Sequence, residues 1–87
     1  MTWRLVFSRA APADARKIEQ AGLRHKVEAL LAILREDPFR NPPRYEKLVG
    51  DLAGACSRRI NLQHRLVYQV VTEERVVKIL RMWSHYE

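Results

Sequence analysis

Leu23, Val27, Leu30, Leu31 and Leu34 recur at the 3.6-residue period of a helix, and the stripe stops at "EDPFRNPPR", whose three prolines cannot continue one. This is the strongest helical signal in the chain, and it divides the rest. Before it, "WRLVF" (Trp3–Phe7) alternates large apolar residues with others as a strand does. "APADARKIEQAG" then predicts a short helix with Ala11, Ala15 and Ile18 inward, Pro12 in its first turn, Ser8 as its cap and Gly22 as its stop. After the prolines come "YEKL", a short extended piece, and "GDLAG", a turn. "CSRRIN" and "HRLVYQVV" read as paired strands across a tight loop near Asn61–Gln63, and "RVVKILRMW" is a final strand reached through the polar turn "TEE". The order β-α-α-β-β-β predicts an α+β fold, with two helices packed on one face of a small, mostly antiparallel sheet.

At 87 residues the chain is expected to form one domain over 1–87. Such a domain buries only about two-thirds of its unfolded surface, so it has little stability to spare. No apolar run approaches the roughly 18 residues of a membrane helix. The start, "MTWRLVFSRAAPADAR", turns charged at once and lacks the apolar core of a signal peptide. Cys56 is the single cysteine, which excludes an internal disulfide framework and a two-thiol metal site and fits a reducing cytoplasm. Sixteen Lys+Arg against ten Asp+Glu leave a net charge of +6. A polyanion partner and simple solubility both account for that charge, though arginine predominates over lysine and is the better phosphate fork.

Alternation sharpens the choice. If Ile60, Leu66, Tyr68 and Val70 point toward the helices, then Arg65, Val67 and Gln69 point the other way. An odd-numbered hairpin loop sets Arg59 opposite Arg65 on that helix-free face. Two guanidiniums side by side repel each other, and a bound phosphate removes the repulsion while using both forks. For the adjacent Arg58 a structural salt bridge is the better expectation, with Glu46, Asp51 or Glu73 as its partner. A carboxylate (Glu46), a histidine (His85) and two arginines are also the set that metal-independent RNA cleavage needs. A base takes the 2′-hydroxyl proton, an acid protonates the leaving 5′-oxygen, and fixed cations stabilise the charge that builds on phosphorus. With an ordinary pKa near 6.5, a histidine can serve as that acid.

The segments "DPFRNPPRYEKL", "DLAGACSRRIN", "HRLVYQV" and the terminal "SHY" resemble, in order, the motifs of YoeB-type toxins of the RelE superfamily, the ribosome-dependent messenger-RNA endonucleases of type II toxin–antitoxin systems. The resemblance is strong from Pro38 to Val70 and again at the C-terminus, and thin over the first helix. It implies Glu46 as general base, His85 as general acid, Arg65 as the cation at the transition state, Arg59 as its helper on the phosphate, and Tyr86 as the residue that orients or stacks on the scissile nucleotide. It implies no cofactor and no metal. The implied partners are the ribosome with its messenger RNA, a YefM-like antitoxin with an acidic C-terminal segment, and a second copy in a homodimer.

The chain departs from the family pattern at Val49, where a lysine is common, at Ala55–Cys56, which replace an aromatic pair, and at Trp83, where an arginine is common. Two other readings stand beside it: a ParE-like gyrase inhibitor of the same fold, against which the glutamate, paired arginines and terminal histidine count, and a catalytically silent ribosome- or RNA-binding module, which Val49 and Trp83 keep open. Other residues carry no functional expectation. His25 falls on the polar side of the second helix, His64 flanks the tight loop, and Trp3 and Trp83 suit the core or an interface. Cys56 has no histidine beside it to make it a nucleophile.

Overall fold

The computed structural model describes residues 2–50 and 53–85, with Ser84 and His85 described as backbone only. The elements run β1 (Arg4–Phe7), α1 (Ala11–Gln20), α2 (Arg24–Glu36), β2 (Tyr45–Lys47), β3 (Cys56–Arg59), β4 (His64–Val71) and β5 (Val76–His85), with a 3₁₀ turn at Thr72–Glu74 before β5. The sheet order is β1-β5-β4-β3-β2. β1 lies parallel to β5 and every other pairing is antiparallel. The fold is thus α+β as expected, on a mixed sheet with one parallel pair.

Both helices pack on one face of the sheet. Ala11, Ile18, Val27, Leu30 and Leu34 meet Ile60, Leu66, Tyr68, Val77, Ile79 and Met82 in one core cluster that also takes in Trp3. Leu23 precedes α2 as its cap residue and is half-buried, and Leu31 is half-buried too. The two helices join through Gly22, whose φ of 73° is left-handed. There the Leu23 N–H bonds to Ile18 O and the Gly22 N–H to Glu19 O, which satisfies the last carbonyls of α1.

Three local expectations need correction. Ser8 caps no helix through its side chain; its hydroxyl donates to Leu80 O at 2.7 Å and so ties the start of α1 to β5. Ala15 is exposed, and Asp14 takes the inward place between Ala11 and Ile18. The reason lies across the sequence. Asp14 accepts two bonds from the Arg81 guanidinium, at 2.9 and 3.1 Å, and one from the Met82 N–H at 2.9 Å. The β4–β5 register shifts around Val67, opposite Arg81, so the ladder is irregular where the Asp14 carboxylate takes up Met82 N–H. Burial pushes the Asp14 carboxyl up. The Arg81 bonds, the Met82 N–H and the charges of Arg81 and Lys17 outweigh it and hold the group below the usual carboxylate value.

The third correction concerns Arg58. It is only 1% exposed, and a carboxylate is not what satisfies it. Its guanidinium donates to Pro43 O, to Pro38 O at 3.0 Å, to Arg40 O at 2.8 Å and to the Tyr68 hydroxyl at 3.0 Å. It also lies 4.8 Å from the Tyr45 ring centre and 5.9 Å from that of Tyr68. The proline-rich loop is therefore folded around an arginine. Burial pushes the Tyr68 phenol up to about 12, against the lowering effect of Arg58.

Candidate active site

The site is built by the hairpin of β3 and β4 and by the edge strand β2. Asn61 forms the turn. Its Oδ1 accepts from the Gln63 and His64 N–H groups at 2.9 and 2.7 Å, and the Ile60 N–H bonds to His64 O. This three-residue turn fixes the register, and Arg59 pairs with Arg65. Glu46 pairs with Ser57, which in turn pairs with Val67. Directly paired residues share a face, and residues two apart on one strand share it too. Glu46, Ser57, Arg59, Arg65 and Val67 therefore stand on one face. Ser57 and Val67 are each 1% exposed yet belong to no part of the helix-packed cluster, so this is the face without helices, and they form its floor.

Arg44, Glu46, Ser57 and Arg59 enclose a recess of about 230 Å³ on this face. A shallower one of about 600 Å³ adjoins it through Arg59 and extends past the Asn61 turn to Lys26 of α2. One carboxylate thus sits among arginines. Away from this face, ion pairs join Arg24 to Glu19 and Glu28 and Arg81 to Asp14. An apolar recess of about 350 Å³ between the helices, lined by Ile18, Val27, Leu31 and Met82, is remote from this chemistry.

The structure brings three of the expected site residues, Glu46, Arg59 and Arg65, onto one face. For His85 the backbone register is described. It pairs with His64 at the end of β5, next to Ser84, which pairs with Arg65. Tyr86 lies outside the described residues, as does the Asp51 that was a candidate partner for Arg58. Sequence reasoning missed Arg44 and Ser57. Arg44 could have been found by counting back two places from Glu46 to the residue just before β2, whereas the burial of Ser57 has no local signal.

Residues without a functional expectation behave structurally. The His64 ring stacks on Trp83 with centroids 3.8 Å apart and shares Asn61 Oδ1. Trp3 is buried against Phe39 and under Arg75. Burial raises the Cys56 thiol, the reverse of what a nucleophile needs. Val49 is 86% exposed. Ala55 and Cys56, in place of bulkier residues, line a recess of about 340 Å³ beside Phe39 and Val70.

The chain can be set beside known proteins at this point. A "Toxin YoeB" of Streptomyces coelicolor is 40% identical over 52 residues, covering 60% of this chain and 62% of that one, so the chain spans less than two-thirds of that relative's length. The "YoeB/ParE toxin" structure of Agrobacterium tumefaciens superposes with a TM-score of 0.83 at 29% identity, covering 95% of this chain and 99% of that one. The YoeB–YefM toxin–antitoxin heterotetramer of Staphylococcus aureus matches with a TM-score of 0.74 at 34% identity over 99% of this chain and 100% of the other. A YoeB dimer of the same species matches at 0.74 and 32% over the same shares. The model of the YoeB-like toxins of bacterial type II toxin–antitoxin systems matches residues 13–86, and to that family this chain belongs.

Proposed function

We propose that this toxin cleaves messenger RNA held in the ribosomal A site. The Glu46 carboxylate accepts the proton of a ribose 2′-hydroxyl, and the 2′-oxygen attacks the adjacent phosphorus. The new P–O2′ bond forms as the P–O5′ bond breaks, and His85 gives its proton to the departing 5′-oxygen. The products are a 2′,3′-cyclic phosphate and a 5′-hydroxyl. Arg65, with Arg59 opposite it, neutralises the charge that builds on the phosphoryl oxygens. Tyr86 stacks on the nucleotide, which tolerates any base. No metal or cofactor enters the scheme.

The observation that carries this reading is the register that sets Glu46, Arg59 and Arg65 on one helix-free face across three neighbouring strands. Proton transfer and transition-state charge are served by this pairing of the Glu46 carboxylate with opposed guanidiniums. The net charge of +6 suits docking onto ribosomal RNA. By analogy with the heterotetramer, a YefM-like antitoxin neutralises the toxin by covering this basic face with an acidic segment, and the toxin itself pairs as a homodimer.

Mapping 5′ ends of messenger RNA after induction tests the proposal. New ends in translated messages, absent with Glu46→Gln and with His85→Gln, are expected. Intact messages with blocked DNA replication point instead to a gyrase inhibitor. Stalled translation without new ends points to a silent binder.

A further inference from the structure

Glu46 and Ser57 are direct cross-strand partners, so their Cβ atoms lie within about 4.5–5.5 Å on the same face. Ser57 is 1% exposed, and its hydroxyl has no hydrogen-bond partner among the described residues. A buried hydroxyl left without a partner is an exception in folded proteins and calls for a cause. This one lies in the floor of the recess whose rim is Arg44, Glu46 and Arg59. Arg44 stands two places before Glu46, immediately ahead of β2, the strand at the edge of the sheet.

We propose that Ser57 holds the ribose 2′-hydroxyl that Glu46 deprotonates, and that Arg44 holds the phosphate on the 5′ side of that ribose. The inference rests on the nuclease reading above and assigns two positioning residues to it. A hydroxyl beside a carboxylate, between two guanidiniums, suits a group that both donates and accepts. The ribose hydroxyl gives its proton to Glu46 and accepts a hydrogen bond from Ser57 Oγ–H. As the 2′-oxygen gains negative charge that bond strengthens, and Ser57 keeps its own proton throughout. Every internal ribose carries a phosphate on each side. Arg59 and Arg65 take the scissile one, and Arg44 is placed for the other. Ser57 thereby distinguishes RNA from DNA, which lacks its ligand.

The test uses the full chain in a Glu46→Gln background, so that RNA survives, and reads fluorescence anisotropy with a labelled single-stranded RNA and its all-deoxy counterpart. The parent is expected to bind RNA several-fold more tightly than DNA. Ser57→Ala should abolish that preference without weakening DNA binding, Ser57→Thr should retain it, and the melting temperature of Ser57→Ala should be unchanged or higher. Arg44→Ala should weaken RNA and DNA alike and reduce the slope of log K against log salt by about 0.7. An undiminished RNA preference in Ser57→Ala, or a lowered melting temperature, overturns the role of Ser57; an unchanged salt slope overturns that of Arg44. The two readings separate cleanly. Wild-type protein that cuts no message in a translating extract, with preference and slope as expected, removes the nuclease reading and supports these contacts. Cleavage with unaltered preference and slope does the reverse.

Discussion

Arg58 and Arg59 are neighbours in the chain and end on opposite faces of the sheet, the first almost wholly enclosed and the second exposed. Arg58 is committed to three loop carbonyls and the Tyr68 hydroxyl, while Arg59 faces Arg65 across the hairpin. One step along the strand therefore separates a cation committed to the framework from one on the helix-free face. The first keeps β2, and with it Glu46, in place for the second.

Replacing Arg58 should unfold more than it inactivates. Arg58→Ala leaves three carbonyls and a phenol without their donor, a loss of at least about 3 kcal/mol. In a domain of this size that lowers the melting temperature by more than about 12 °C. Arg58→Lys should recover only part of the loss, because an ammonium cannot span the same carbonyls with one planar fork. Thermal unfolding followed by circular dichroism decides this, and a shift below about 4 °C would show that the loop holds itself.

Arg65→Ala should behave the other way. Cleavage of translated messages should fall by roughly a hundredfold or more, the range seen when one transition-state donor is removed. The melting temperature should stay within about 4 °C of the parent. Loss of cooperative unfolding in this variant would make Arg65 part of the framework.

Asp14 should matter for acid stability. Its folded carboxyl titrates below the ordinary value, so the stability it supplies is present above the unfolded pKa, about 3.9, and is lost as pH falls through the folded one. Asp14→Ala should cost about 2 kcal/mol at pH 7, since it removes the acceptor from both Arg81 and the Met82 N–H. The deficit relative to the parent should shrink below pH 4. Urea midpoints measured from pH 3 to 7 give the result; a deficit constant across that range would separate the effect from the charge.

Tyr68 gives the matching alkaline signature. Its folded pKa is raised to about 12 above an unfolded value near 10, so its contribution is intact below pH 10 and disappears as pH climbs through 12. Ultraviolet titration should show one phenol ionising last, together with unfolding. In Tyr68→Phe that late step should vanish. A Tyr68 phenol that titrates near 10 in the folded protein contradicts the dominance of burial over the Arg58 bond.

The legible parts of this molecule were those that depend on nearby residues. The leucine stripe of α2, the Gly22 stop, the proline break and the odd-numbered hairpin loop each act over a few positions, and the register opposing Arg59 and Arg65 follows from the last. Ala15 is expected inward where Asp14 is found, because the reasons for Asp14, Arg81 and the Met82 N–H, lie far along the chain. Arg58 was assigned a carboxylate because carbonyls leave no trace in composition. Ser57 carries nothing in its neighbourhood that announces its burial. Asp14 and Arg58 are held by long-range polar contacts, which local periodicity does not encode.

The placement of β5 has a bearing on when, during synthesis, the sheet can be completed. The last strand to leave the ribosome is inserted between the first, β1, and β4. Until residues 76–85 emerge, the opening strand has no neighbour and Arg65 stands on an unfinished border. The sheet, and with it the face that carries Arg65, is thus complete only after β5 has been inserted between two strands made before it.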